Sequence, residues 1–316
     1  MSRNLGIGLA FFLFVNLIFA SLSFLNSRNI KQPLSPLPVG KVLGTQLFFY
    51  GNNIWKPDLD NVKLSGIPKP EISAKSALVV DITTNDIIYA KNPKVQQSVA
   101  STVKILTALV SLETLKPTDV ITVSDRAAKT GEDFMGLAAG EKLTLEDLLY
   151  GLLLPSGNDA AEAIAEGAAG TSSQFIELMN KKAQILGAVN SKFVNPSGLE
   201  GNGAHYSTAE DLAIISKYAW DNFSLFRQIV GTKYYEIPYS PEHKYFYLEN
   251  QTNLLGTYPG VRGIKPGFTP QAGLCLVTLA DNGGHQILGI VLGSADRRGD
   301  MEKLLNYSFA VQGVQI

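Results

Sequence analysis

Ser101 and Lys104 are the residues whose types and spacing first suggest chemistry. They open a segment, residues 99–110 (VASTVKILTALV), in which apolar residues fall on nearly every side at helical spacing. A separation of three residues places both side chains on one face of the first helical turn. Burial lowers the pKa of a lysine, and a neutral amine can accept the proton of a serine hydroxyl. The pair suits an activated nucleophile, although a lone S-x-x-K is more often a helix cap beside a solvated lysine.

Two further groups of polar residues lie far along the chain. Residues 156–158 (SGN) separate two predicted helices, and residues 265–267 (KPG) open an apolar strand segment. Each group taken alone is ordinary turn chemistry. If the three segments meet in space, they surround a single peptide carbonyl with two hydroxyls, two amines and one carboxamide.

The composition excludes several classes of protein and site. The chain has 316 residues, with 27 Lys and Arg against 28 Asp and Glu, so there is no net field to attract nucleic acid. Cys275 is the single cysteine, which rules out a disulfide within the chain and a cysteine metal cluster. The histidines His205, His243 and His285 lack a ligand spacing, and His205 is interpreted as structural. We expect neither a metal nor a cofactor.

The N-terminal part of the chain has a different composition from the rest. Residues 5–25 are almost wholly apolar and follow Arg3, which is typical of a secretory signal or an uncleaved membrane anchor. Their length favours the anchor, with the basic end in the cytoplasm and the remainder exported. We assign residues 1–25 to this segment. Residues 26–72, interrupted by Pro and Gly, are predicted to form a linker with one short strand at 42–50.

The pattern from residue 73 to residue 316 predicts one catalytic domain of the α+β class. Strand patterns occur near both ends of this region, and residues 117–247 between them are mainly helical. The predicted strands are residues 77–82, 87–90, 260–265, 272–280 and 286–293, and a helix over 296–310 closes the chain. We therefore expect an antiparallel sheet built from both ends of the domain and flanked by helices, with a helical insertion and a cleft between the two.

In this setting the three motifs resemble those of a known family. The order S-x-x-K, S-x-N and K-x-G is similar to that of penicillin-binding proteins and class A β-lactamases. The surrounding sequence more specifically resembles the low-molecular-mass D-alanyl-D-alanine carboxypeptidases, peptidase family S11. The likeness is carried by residues 100–108, 148–161, 195–199, 205–209 and 263–269. The resemblance implies a β-lactamase/transpeptidase-like fold.

The resemblance also implies a reaction and a role for each motif residue. Ser101 would attack the carbonyl between the two terminal D-alanines of a peptidoglycan stem peptide, with Lys104 as general base. Ser156 would relay the proton to the leaving D-alanine, and Asn158 would hold the substrate amide. Lys265 would attract the substrate carboxylate and help to keep Lys104 neutral by like-charge repulsion.

The third motif departs from the family pattern, because Pro266 stands where the family has threonine. The threonine hydroxyl that contacts the substrate carboxylate is therefore missing, and Thr269 is a candidate substitute. Proline fits a strand edge without breaking a hydrogen-bond ladder. Alternation along the strand leaves the Phe268 N–H facing the cleft, where it would form the oxyanion hole with the Ser101 N–H.

The family resemblance places the protein at the outer face of the cytoplasmic membrane in a bacterial cell envelope, with β-lactam antibiotics as covalent inhibitors. Alternatives of the same fold are a D,D-endopeptidase, a β-lactamase and a non-catalytic wall-binding relative. A class A β-lactamase needs a glutamate to activate the deacylating water, and the one E-x-x-L-N string, residues 302–306, lies in the predicted closing helix beyond all three motifs. An α/β hydrolase is a less favoured alternative, since the sequence has no G-x-S-x-G motif for a nucleophile elbow.

Overall fold

A five-stranded antiparallel sheet forms the frame of the domain. The computed structural model describes residues 54–201 and 204–316. The sheet strands are β1 (Ser76–Asp81), β2 (Asp86–Lys91), β7 (Val261–Thr269), β8 (Gly273–Asn282) and β9 (His285–Ser294). Their order is β2-β1-β9-β8-β7, so β1 from the N-terminal side pairs directly with β9 from the C-terminal side. The predicted sheet assembled from both ends of the domain is confirmed.

The helices cover this sheet on both faces. A 3₁₀ helix (Ala100–Val103) leads into α1 (Lys104–Thr114), and α8 (Arg297–Val311) closes the chain. The remaining helices are α2 (Asp125–Ala128), α3 (Leu145–Leu153), α4 (Asn158–Ala169), α5 (Ser172–Ile185), α6 (Ala209–Asn222) and α7 (Ser224–Val230). α1 packs against α3, α4, α5 and α6, so nearly all of its residues are buried. This agrees with the apolar residues on every side of its sequence.

The region of residues 117–247 is mainly helical, as predicted, and two short strand pairs lie within it or at its end. β3 (Val120–Thr122) pairs with β4 (Lys142–Thr144), and β5 (Tyr234–Ile237) pairs with β6 (Phe246–Glu249). These strands have only three or four residues each, too few to produce a clear alternation in the sequence. Cross-strand pairing, which joins distant parts of the chain, defines them instead.

Part of the predicted linker lies against the domain. Trp55, Leu59 and Val62 pack on the hydrophobic core, and Val62 forms a parallel bridge with Ile87 of β2. Among the described residues, no helix combines the length and the apolar character needed to cross a membrane. The predicted anchor at residues 1–25 and the predicted strand at 42–50 lie outside the described residues.

Candidate active site

Ser101 lies in the 3₁₀ helix at the start of α1 and is partly exposed. The residue before it, Ala100, has φ 47°, a left-handed conformation that is uncommon for a residue with a side chain. The Nζ of Lys104 lies 2.9 Å from the Ser101 Oγ. The spacing of three residues thus brings the hydroxyl and the amine into direct contact.

Lys104 is fully buried and its amine is surrounded by acceptors. Its Nζ donates to the Asn158 Oδ1 at 2.7 Å and to the backbone carbonyl of Ser197 at 2.6 Å. Burial lowers the pKa of Lys104 well below its ordinary value, and the charge of Lys265 lowers it further. Neither contact supplies a negative charge to offset the loss of solvation. The site therefore favours the neutral amine.

Ser156 and Lys265 both present buried polar atoms. Ser156 has φ 69° in the turn before α4, and its side chain is almost fully covered. The Ser156 Oγ and the Lys265 Nζ have no hydrogen-bond partner among the residues that the structure describes. Burial lowers the pKa of Lys265 to about 7, while the carboxylate of Asp133 acts in the opposite direction. The positive charge of Lys265 in turn lowers the pKa of Lys104.

The loop at residues 131–137 holds Asn158 in position. The Asn158 Nδ2 donates to the Gly131 carbonyl at 3.0 Å, and its backbone N–H donates to the Asp133 carbonyl at 2.8 Å. These contacts leave the Asn158 Oδ1 directed at Lys104. The next residue, Asp159, binds the other half of the loop by accepting hydrogen bonds from the backbone N–H groups of residues 135, 136 and 137 at 2.8, 2.8 and 2.9 Å.

A second loop, residues 195–199, supplies the carbonyl that binds Lys104. The Asn195 Oδ1 accepts hydrogen bonds from the backbone N–H groups of Ser197 and Gly198 at 3.2 and 2.7 Å, which closes the turn. Gly198 has φ 89°, and a Cβ there would lie 2.1 Å from the Ala100 carbonyl oxygen. Only glycine satisfies both the conformation and the close approach. The turn therefore packs directly beneath the 3₁₀ helix.

Edge strand β7 forms the opposite wall. Lys265 and Gly267 alternate onto one face of the strand, and a Cβ at Gly267 would lie 2.9 Å from the Ser101 backbone nitrogen. Pro266 pairs with Leu276 of β8 at a position without a register shift. Proline donates no hydrogen bond, so the sheet edge accommodates it. The Phe268 backbone N–H, two residues on, points to the same free edge.

The remaining predicted residues and one further contact complete this wall. The Phe268 side chain is 59% exposed, whereas Thr269 is buried and its Oγ1 accepts a hydrogen bond from the Ala272 N–H at 3.1 Å. Arg297 donates from Nη1 to the Gly267 carbonyl at 2.9 Å. The K-P-G strand is thus fixed both by β8 and by the start of α8.

Comparison with known proteins decides the family. A family model described as D-alanyl-D-alanine carboxypeptidase, peptidase S11, matches residues 64–296. The chain belongs to the D-alanyl-D-alanine carboxypeptidase family. It is 36% identical to the D-alanyl-D-alanine carboxypeptidase DacF of Bacillus subtilis (strain 168) over 75% of this chain and 62% of the relative. It is also 36% identical to a D-alanyl-D-alanine carboxypeptidase of Streptomyces sp. (strain K15), over 78% of this chain and 91% of the relative.

Solved structures show the same fold in relatives of this carboxypeptidase family. The Streptomyces K15 DD-transpeptidase superposes with a TM-score of 0.72 at 36% identity, over 77% of this chain and all of that chain. A penicillin-binding protein homolog from Mycobacterium tuberculosis gives a TM-score of 0.74 at 31% identity, over 79% and 96% of the two chains. The predicted family and the predicted β-lactamase/transpeptidase-like α+β fold are confirmed.

Sequence reasoning missed several groups that build this carboxypeptidase-family site. The Ser197 carbonyl and Asp159 have no role in the sequence prediction, although both lie in segments that carry the family resemblance. An acid directly after S-x-N, in the first turn of a helix, was the available signal for Asp159. His205 is buried, accepts a hydrogen bond from the Val194 N–H at 3.3 Å, and has its pKa lowered to about 4, chiefly by burial. Its uncharged ring agrees with a structural role.

Proposed function

We propose that the protein is a serine-type D-Ala-D-Ala carboxypeptidase that removes the terminal D-alanine from peptidoglycan stem peptides. One observation carries the proposal: the fully buried Lys104 amine lies 2.9 Å from the Ser101 Oγ and donates to two uncharged oxygens. A neutral lysine amine has two hydrogens and one lone pair. With the hydrogens bound by Asn158 and Ser197, the lone pair remains for the Ser101 hydroxyl proton.

Acylation begins with the Ser101 hydroxyl. Its Oγ attacks the carbonyl carbon of the penultimate D-alanine while its proton passes to the Lys104 Nζ. The backbone N–H groups of Ser101 and Phe268 receive the oxyanion of the tetrahedral intermediate. The carbon–nitrogen bond then breaks, and the Lys104 ammonium gives its added proton to the leaving D-alanine amine by way of the Ser156 hydroxyl, which returns Lys104 to the neutral form. The products of this step are free D-alanine and an ester on Ser101.

Deacylation returns the enzyme to its starting state. A water molecule gives one proton to the neutral Lys104 amine and attacks the ester carbonyl. The ester bond breaks, the Lys104 ammonium gives its proton to the Ser101 oxygen, and the shortened peptide leaves with a new carboxylate. Penicillin would acylate the same hydroxyl. The one E-x-x-L-N string, residues 302–306, lies in α8, where Glu302 pairs with Arg298, so we expect this ester to be long-lived.

Lys265 supplies the positive charge of the proposed site. Its buried amine would attract the carboxylate of the terminal D-alanine, and its charge lowers the pKa of Lys104. Asn158 would position the substrate amide. Thr269 stays a candidate for the hydroxyl that Pro266 lacks, although its oxygen already accepts the Ala272 N–H.

We also propose that residues 1–25 tether the protein to the outer face of the cytoplasmic membrane, with residues 26–72 as linker and 73–316 as the catalytic domain. The support is the apolar run and the exported substrate. Cell fractionation with and without residues 1–25 tests it. Equal recovery of both forms in the membrane fraction contradicts the tether.

Labelling with a fluorescent penicillin tests the catalytic proposal. We expect covalent labelling of the wild type and none of Ser101→Ala, and release of D-alanine from a D-Ala-D-Ala peptide by the wild type alone. Failure of the wild type to label would favour a non-catalytic wall-binding protein. Rapid turnover of penicillin would favour a β-lactamase. Mass spectrometry of digested muropeptides separates loss of one D-alanine from endopeptidase cleavage of crosslinks.

A further inference from the structure

The β5–β6 hairpin exposes a row of tyrosines that the proposed reaction does not use. Tyr234, Tyr245 and Tyr247 are 60%, 50% and 56% exposed. Strand alternation and the pairings Tyr234↔Glu249 and Glu236↔Tyr247 place two glutamates on the same outer face. We call these five residues the tyrosine face. Three exposed tyrosines on one face of a two-stranded hairpin make it a candidate interaction surface.

The inner face of the hairpin is packed, so the tyrosine face is held rigid. Ile237, Phe246 and Leu248 are buried at 3%, 4% and 2% exposure. The ring of Tyr235 stacks on that of Tyr150 from α3, with centroids 3.6 Å apart and planes within 5°. A surface that is fixed before binding loses little conformational entropy when a ligand binds.

The chemistry of the face suits a neutral carbohydrate. The rings of Tyr234 and Tyr247 lie 6.1 Å apart with planes inclined by 21°, so two nearly parallel and more than half-exposed rings form one aromatic cluster on the face. Such surfaces pack against the apolar C–H faces of pyranose rings, while carboxylates accept hydrogen bonds from sugar hydroxyls. Desolvation, and after it the neighbouring carboxylate of Glu236, raise the pKa of the Tyr245 hydroxyl. Two carboxylates on the face disfavour phosphate-containing polymers and anionic lipids.

The hairpin is joined to the turn that carries Ser156. After β6, Gln251 donates from its backbone N–H to the Leu154 carbonyl at 3.2 Å and from Nε2 to the Pro155 carbonyl at 2.9 Å. In the proposed substrate the stem peptide is covalently attached to a glycan strand. An extended peptide covers at most about 3.6 Å per residue, so a stem of a few residues keeps its glycan within on the order of 15 Å of the reacting carbonyl.

We propose that the tyrosine face binds the glycan strand of the substrate, a polymer of β-1,4-linked N-acetylated hexosamines. This inference rests on the proposed function for the origin of the ligand. The face would hold the strand while its stem peptide enters the cleft. It would therefore favour glycan-linked peptides over free ones.

Titration with a soluble, peptide-free oligosaccharide of β-1,4-linked N-acetylglucosamine tests the binding step. The full chain is compared with a Tyr234→Ser, Tyr247→Ser double variant by calorimetry. We expect affinity at least about tenfold lower in the double variant. Tyr234→Phe keeps the ring and retains binding. Val189→Ser, which alters an apolar residue 67% exposed outside the hairpin, serves as the matched control and binds normally.

Kinetics then connect binding to turnover. For a glycan-linked D-Ala-D-Ala peptide the double variant should show a raised KM, while kcat/KM for the free peptide and penicillin labelling stay at the parental level. Ser101→Ala should bind the oligosaccharide as the parent does, so loss of catalysis does not count against the glycan site. Equal oligosaccharide affinity in the parent and the double variant overturns the proposal. The proposal is also overturned if the double substitution changes only self-association, measured by sedimentation.

Discussion

The Oδ1 of Asn158 accepts a hydrogen bond of 2.7 Å from the Nζ of Lys104. The S-x-N carboxamide therefore contacts the amine of S-x-x-K directly, across 54 positions of chain. Its orientation is fixed because its Nδ2 donates to the Gly131 carbonyl at 3.0 Å. A rotated amide would direct an N–H at the lysine and remove the acceptor that orders the amine.

The pH dependence of kcat/KM should follow the two lysines in opposite directions. Lys104 must be neutral, so activity rises as the pH passes its lowered pKa. Lys265 must be charged, so activity falls as the pH rises through about 7. Lys265→Arg keeps its charge throughout and should lose the alkaline fall. A pH profile of kcat/KM for both proteins on a D-Ala-D-Ala peptide checks this. If kcat/KM falls at alkaline pH in the same way in both, the fall is not caused by Lys265.

Replacing Lys265 by methionine should stabilise the fold while abolishing activity. The Lys265 Nζ is buried and has no hydrogen-bond partner among the described residues, so its charge is costly. We expect the free energy of unfolding to rise by about 2 kcal/mol below pH 7.

The sign of the pH effect on this stability gain follows from the lysine pKa. Between the folded value of about 7 and the ordinary 10.5, the unfolded chain binds more protons. Wild-type stability thus rises with pH in that window, and the advantage of the Lys265→Met variant shrinks. Urea unfolding across this pH range measures both effects, and a less stable variant below pH 7 would oppose the interpretation.

A side chain at position 267 should separate the β7 wall from the nucleophile. The Cβ of Gly267→Ala would lie 2.9 Å from the Ser101 nitrogen and 3.2 Å from the Thr102 nitrogen, both backbone atoms. We expect the second-order rate of penicillin acylation to fall on the order of 100-fold with little unfolding. Gly66→Ala, where nothing lies within 4 Å of the added Cβ, is the control. Parental acylation by Gly267→Ala would show that the strand can move freely.

Asp159 should act as a positioning residue for Asn158. Its carboxylate binds the backbone N–H groups of Met135, Gly136 and Leu137, and an asparagine there offers one acceptor oxygen instead of two. For Asp159→Asn we expect a loss of about 2 kcal/mol in stability and a fall in kcat of at least roughly tenfold.

The exposed substitution Asp125→Asn is the matched control for this prediction, because it removes a carboxylate that is 71% exposed and pairs with Lys129 one helical turn away. It should leave both stability and kcat near the parental values. If Asp159→Asn loses stability but keeps kcat, the loop is structural and does not position the site.

Pro266→Thr should improve recognition of the substrate carboxylate. The strand is already at the sheet edge, so threonine needs no rearrangement of the β7–β8 ladder. A new hydroxyl bond to a carboxylate is worth about 1.4 kcal/mol, which is about a tenfold rise in kcat/KM. Pro266→Val, similar in shape but without the hydroxyl, controls for backbone effects. Equal kcat/KM in the parent and the Pro266→Thr variant would show that Pro266 does not weaken recognition of the substrate carboxylate.

The sequence alone determined the outline of this protein. Strand patterns at both ends predicted the sheet, because residues of one strand carry their alternation wherever the strand is placed. The fully apolar run after Lys104 predicted a helix buried on all sides. The three motifs are short and local, so their order and the flanking residues were sufficient to indicate the family.

Only the tertiary structure decided how the site is assembled. The carbonyl of Ser197 on Lys104 belongs to the backbone, and no side-chain pattern encodes where a carbonyl points. The close approaches at Gly198 and Gly267 depend on elements that are distant in sequence and adjacent in space. The short strands of residues 117–247 exist because of their partners. The local sequence determines the periodicity of each element and the chemical groups that it carries. Packing between distant segments determines the distances and the burial of those groups, and therefore the pKa values on which catalysis depends.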